Sequence, residues 1–162
     1  MDLAAERIVI PATWHLEFAH AAGIAASRFL AALRDDEVIL ASPCSSCGRM
    51  LVPPKAYCED CFVPTSDDWV PVGPEGVVEA FSITYAELPG YKDPPYAVCY
   101  VRPDGASTAI GNWVVGVDLE VAEAAALRLA IGTRARAVFA IERSGRITDF
   151  AWTPVDDSEV GR

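Results

Sequence analysis

Apolar residues recur at three- and four-residue steps between Trp14 and Arg34, at Phe18, Ala21, Ala22, Ala25, Phe29, Ala32 and Leu33. That is the spacing of one helix face, and it predicts a helix, or two shorter ones divided at Gly23. Residues 1–13 read as a leader closed by Pro11, and Asp35 and Asp36 end the helical pattern. "EVILAS" reads as a short strand that runs into a pair of cysteines. After Cys61 comes a polar, Pro-marked link, "VPTSDDW". Beyond it the pattern is mostly that of strands. "GVVEAFSITYAEL", "YAVCYVR" and "ASTAIGNWVVGV" are three of them. The turn-dense "LPGYKDPPY" separates the first two, and the tight "PDG" turn the second and third. "DLEVAEAAALRLA" is helical, with Asp118 as the expected N-cap and Leu119, Ala122, Ala126 and Leu129 along one face. Gly132 resets the chain, and "RARAVFAIE" and "RITDFAWTPV" are expected to form a hairpin across "RSG". Five strands with one helix between the third and fourth is the order of an OB-fold barrel; a small β-sandwich is the alternative.

Composition and charge narrow the function classes. The chain has 162 residues, enough for one modest domain or one domain with a small module, and at 52% hydrophobic it can build a core. Its apolar runs are too short to span a membrane. The N-terminus, "MDLAAERIVIPATWH", has acids where a signal peptide needs bases, so a cytoplasmic location is expected. The net charge is -10, a surface that repels phosphate backbones and disfavours nucleic acid as a partner.

The chemistry lies in "CSSCGRMLVPPKAYCEDC". Cys44 and Cys47 form one Cys-x-x-Cys pair and Cys58 and Cys61 another, with ten residues between. Each pair places two sulfurs on one side of a tight loop. A hairpin through the two prolines brings the loops together, and four thiolates close a tetrahedron about 2.3 Å from a Zn²⁺ ion. Gly48 lets the chain turn so that backbone N–H groups point at sulfur. Four protein ligands leave no open position, so the expected role is structural. Iron is the alternative metal for such a site. Disulfides need an oxidising compartment, and a redox Cys-x-x-Cys needs one pair in a βαβ setting.

Other residues offer less. Cys99, in mid-strand with no His near it in sequence, reads as a small core hydrophobe. His15 and His20 are five residues apart and do not share a helix face. No nucleophile elbow or phosphate loop is present, and no catalytic residue is predicted. Arg49, Lys55 and Lys92 are isolated bases on loops, solvated or clamping an anionic ligand such as a nucleotide diphosphate. Trp14, Phe18, Tyr57, Phe62 and Tyr91 lie outside the barrel strands. Some are expected to pack the ribbon onto the barrel, and Trp14, Phe18 and Tyr91 are candidate contacts to a partner protein.

Three longer stretches resemble a known family. These are "RFLAALRDDEVILASPCSSCGRMLVPPKAYCEDC", "WVPVGPEGVVEAFSITY" and "PPYAVCYVRPDGASTAIGNWVVGVD". Together they resemble the zinc-ribbon plus OB-fold proteins of acyl-CoA metabolism, domain of unknown function thirty-five. The resemblance covers most of residues 14–155. It implies a mainly β chain with N-terminal helices, a rubredoxin-like zinc ribbon and a five-stranded OB-fold barrel. The expected organisation is a leader and helical segment at 1–41, the ribbon at 42–64, the barrel at 65–155 and a flexible tail at 156–162. The resemblance further implies an accessory subunit of a thiolase-superfamily enzyme. Such enzymes cleave or form C–C bonds of acyl-CoA thioesters in lipid, steroid or aromatic degradation. It also implies structural zinc on Cys44, Cys47, Cys58 and Cys61, and a two-plus-two hetero-oligomer. Arg49, Lys55 and Lys92 become candidate CoA contacts. The helical stretch 119–131 is longer than the family pattern leads one to expect. The competing readings are a nucleic-acid-binding ribbon/OB module and a stand-alone acyl-CoA binder.

Overall fold

A computed structural model describes residues 8–155; the first seven residues and the expected tail at 156–162 lie outside the described residues. The first element is helix α1, Ile24–Asp35. It buries Phe29, Ala32 and Leu33, which share one face, against the rest of the chain. The helix expected from Trp14 is therefore shorter than its pattern. Gly23 has φ 83, outside the helical region, and residues 14–22 have no core to bury against. An isolated stretch of that length does not hold a helix in water.

Three short strands follow: β1 (Ile39–Pro43), β2 (Met50–Leu51) and β3 (Val70–Val72). They form an antiparallel sheet in the order β2-β1-β3, with Ser42 opposite Leu51 and Leu40 opposite Pro71. Strand β3 is not among the strands that the sequence predicts. Its partner is β1, thirty residues earlier.

The second sheet holds β4 (Glu75–Thr84), β5 (Tyr96–Pro103), β6 (Ile110–Trp113), β7 (Arg134–Phe139) and β8 (Phe150–Pro154). Its order is β6-β5-β4-β7-β8, all antiparallel. A parallel bridge between Val114 and Trp152 joins the two outer strands, so the sheet closes on itself as an OB-type barrel. Helix α2, Ala122–Arg128, lies between β6 and β7 where the sequence predicts a helix. Its N-cap is Val121; Asp118 instead accepts a hydrogen bond from the Glu120 N–H at 2.9 Å, in a turn ahead of the helix. Ala125 and the following Leu129 are buried, whereas Ala122 is exposed, so the packed face is rotated from the expected one.

Trp152 is fully buried at the barrel centre, with Phe150 edge-on to it at 5.3 Å and its indole N–H donating to the Ile110 carbonyl at 3.3 Å. The same core takes in Phe29 and Leu33 of α1 and Ile39, Val52 and Val72 of the small sheet. Ribbon and barrel are also joined by hydrogen bonds. Met50 exchanges two with Ser107, and the Thr108 hydroxyl both accepts from the Val52 N–H at 2.7 Å and donates to the Val52 carbonyl. Aliphatic side chains and hydroxyls thus make the junction. Trp14, Phe18, Tyr57, Phe62 and Tyr91, some of which were expected to do so, are all exposed.

The link from β7 to β8 is longer than a turn across Arg143–Gly145. It ends in a single 3₁₀ turn, Ile147–Asp149. Asp149 is buried and accepts backbone N–H bonds from Ser144, Gly145 and Arg146 at 2.7 to 3.1 Å. Burial alone would raise its pKa. The N–H groups of Ser144, Arg146 and Gly145, with Arg143 nearby, outweigh burial and hold the carboxyl below the usual range. A depressed folded pKa stabilises the fold above the unfolded value of about 3.9, and this contribution is lost as pH falls through the folded value. Asp149→Asn is expected to cost about 1.5–3 kcal/mol at pH 7. Thermal melts of parent and variant should differ at pH 7 and converge as pH falls below about 4.

Candidate metal centre

Pro43 ends β1 and delivers Cys44 to the first of two matching turns. The Cys44 N–H donates to the Arg49 carbonyl at 2.8 Å, and the Gly48 N–H returns to the Cys44 carbonyl at 2.8 Å. The second turn repeats this pattern: the Cys58 N–H donates to Val63 and the Phe62 N–H to Cys58, both at 2.9 Å. In each turn the residue after the second cysteine is left-handed, Gly48 at φ 73 and Phe62 at φ 54. Glycine adopts that conformation freely, as its place in the sequence suggested. Phe62 does so against its side chain, which is left 85% exposed.

The two turns bring the four predicted cysteines together, with their sulfurs all within 4.8 Å of one another. A tetrahedron of sulfurs about 2.3 Å from a central ion has edges of about 3.8 Å, and Cys47 and Cys58 are 3.8 Å apart. Cys44 and Cys58 are buried with Leu51 in a small cluster of their own, while Cys47 is exposed. Backbone N–H bonds from Cys47, then Ser46, draw the Cys44 thiol down to about 7 against its burial. Cys47 gains a similar bond from Arg49. Sharing a proton with Cys44, burial and the other two thiols nevertheless push it up to about 12. Cys44 ionises readily and Cys47 resists, a conflict that a divalent cation among four thiolates removes. The donor set and spacing fit Zn²⁺.

The other candidates lie apart from this cluster or beside it. Arg49 pairs with Asp60 and lies 3.5 Å from Glu59, and Lys55 pairs with Glu59. Lys92 is on the loop between β4 and β5, next to Tyr91, where a hollow is lined only by residues 87–94. Trp14 and Phe18 project from the segment ahead of α1 and are each 80% exposed. Cys99 is buried in β5, and burial pushes its thiol up to about 11, as befits a core residue. Sequence reasoning missed the two acids between Cys58 and Cys61 as partners for Arg49 and Lys55. The signal was present in "CEDC".

Two family models match the chain. One describes the rubredoxin-like zinc ribbon domain of ChsH2, over residues 31–67. The other describes the C-terminal OB-fold domain of ChsH2, over residues 69–140. Together they span more than half of the chain. The chain belongs to the ChsH2 family. Its members' zinc ribbon coincides here with the four gathered cysteines. Among solved structures, the chain is similar to a protein of unknown function from the DUF35 family of Sulfolobus solfataricus. The identity is 23%, with a TM-score of 0.59, over 82% of this chain and 87% of that one. It is also similar to a chain of the Ltp2-ChsH2(DUF35) aldolase, at 18% identity and a TM-score of 0.59, over 83% of this chain and 98% of that one. At these identities the likeness carries the ChsH2 fold. No curated protein matched the chain. No helix among the described residues is long and apolar enough to cross a membrane.

Proposed function

We propose that this ChsH2-family chain is an accessory subunit of a thiolase-like aldolase acting on acyl-CoA thioesters, with the reacting groups supplied by its partner. Family membership and the likeness to the Ltp2-ChsH2 aldolase chain support the class. The observation that carries the reading is the segment ahead of α1. Six large apolar residues from Ile8 to Phe18, Trp14 among them, and Ile24 at the start of α1 are at least 72% exposed. At roughly 100 Å² of apolar area each, they present on the order of 700 Å². That total is close to what one side of a standard interface buries, about 800 Å².

In this reading Trp14, Phe18 and Tyr91 meet the partner, and Cys44, Cys47, Cys58 and Cys61 hold a structural zinc. The subunit caps or completes the partner's acyl-CoA site in a two-plus-two assembly. For CoA the reading narrows. Arg49 and Lys55 are engaged by carboxylates, whereas Lys92 makes no ion pair among the described residues, so it is the cation best placed for a CoA phosphate. The net charge of -10 speaks against the nucleic-acid reading.

Trp14→Ala/Phe18→Ala tests the proposal, since both side chains are exposed and contribute little to the fold of the free chain. The double variant is expected to keep the parent's melting temperature while its affinity for the partner falls at least tenfold, as truncation of aromatic anchors does. Unchanged affinity in a titration against the purified partner would move the interface elsewhere.

A further inference from the structure

The stretch Cys58-Glu59-Asp60-Cys61 sets two carboxylates between two metal-ligand sulfurs. Four thiolates around Zn²⁺ already leave a net charge of about −2, so two more anions there repel the site and one another unless cations meet them. The chain supplies cations from across the site. Arg49, in the first turn, is 28% exposed at its side chain and reaches both Asp60 and Glu59 of the second turn. Lys55 reaches Glu59 from the hairpin. Neither cation is placed by chance. The Arg49 carbonyl is held by the Cys44 N–H. The Lys55 backbone is held at both ends by the fully buried Ser42 hydroxyl, which accepts from its N–H at 3.0 Å and donates to its carbonyl at 3.2 Å. The Thr65 hydroxyl donates to the same carbonyl.

We propose that Arg49, seconded by Lys55, is a positioning residue of the Cys₄ site: an electrostatic latch that closes the second turn on the first and slows metal release. The proposal rests on the zinc reading of the four cysteines. A lone exposed ion pair contributes little to a fold. This one joins the two halves of the ligand set and neutralises the carboxylates nearest its sulfurs. Arg49 thereby acts on the metal through the acids, without touching it.

The test uses the full chain, loaded with zinc and assayed first for metal content. Release is then followed with an excess of a chromogenic zinc chelator. Arg49→Gln keeps most of the side-chain stem and removes the charge, and is expected to release zinc about tenfold faster, as loss of a group supporting metal ligands does. Arg49→Lys should stay near the parental rate and Arg49→Glu should exceed Arg49→Gln, an order set by charge and not by size. Neutralising the acids as well, in Arg49→Gln/Glu59→Gln/Asp60→Asn, should bring the rate back toward the parent's. Equal rates for the parent and Arg49→Gln, at one zinc per chain, overturn the latch alone. So does a triple variant as fast as Arg49→Gln. A chain that binds no zinc overturns the zinc reading and the latch with it.

Discussion

Replacing Cys44 or Cys58 by serine is expected to unfold the ribbon and to abolish assembly with a partner. Both side chains are buried, and with Leu51 they form a small cluster distinct from the main core. Such a cluster is too small to fold a hairpin through the hydrophobic effect alone. The metal's binding energy, on the order of 10–16 kcal/mol for structural zinc, stands in for it. Serine offers a poor ligand for Zn²⁺, so either variant takes one of the four thiolates out of the site. The loss should be local first, because the barrel core around Trp152 and Phe150 does not depend on the sulfurs. Hydrogen exchange should show protection lost over residues 42–64 before the barrel strands. A variant that lost its metal yet assembled fully would show that the four cysteines are not what holds the ribbon.

The second large effect is expected at Gly76, in β4. A Cβ built there would lie 2.4 Å from the Arg102 carbonyl oxygen and 2.8 Å from the Pro103 Cα, both backbone atoms of the paired strand β5. Neither can swing aside as a side chain would, so Gly76→Ala must separate the two strands. Gly76 also pairs with Ala135 of β7, so both neighbours of β4 feel the shift. Overpacking costs about 1–3 kcal/mol where side chains yield. Here the backbone must move, and at least about 3 kcal/mol is expected. Chemical denaturation would show a lower midpoint with an unchanged slope. A midpoint within error of the parent's would mean that the β4–β5 register differs from the one described.

Much of this architecture was legible in the residues, for physical reasons. β4, β5, β7 and β8 alternate or run apolar between Gly and Pro breaks, and the helix between β6 and β7 is where Ala and Leu cluster. The Cys-x-x-Cys pairs constrain geometry so strongly that spacing alone located the gathered sulfurs. The misreadings also have physical reasons. Residues 14–22 carry a helix's periodicity, yet periodicity reports only which side would be buried, and among the described residues that segment stays exposed. Strand β3 is three residues long, and its identity comes from pairing with distant β1 rather than from local preference. Asp149 gave no signal, because its three N–H donors belong to a loop whose shape its own carboxylate helps to fix. The charge pairing across the cysteine turns needed the hairpin's geometry to bring Arg49 opposite Asp60.

The subunit reading is tested by the native mass of the tagged full chain purified from its own host, with its companions identified by mass spectrometry. The expected result is a stoichiometric complex with a thiolase-fold protein, two copies of each, and one zinc per copy of this chain. A clean monomer with no thiolase-fold companion would contradict the subunit reading and leave a free-standing ligand-binding protein in its place.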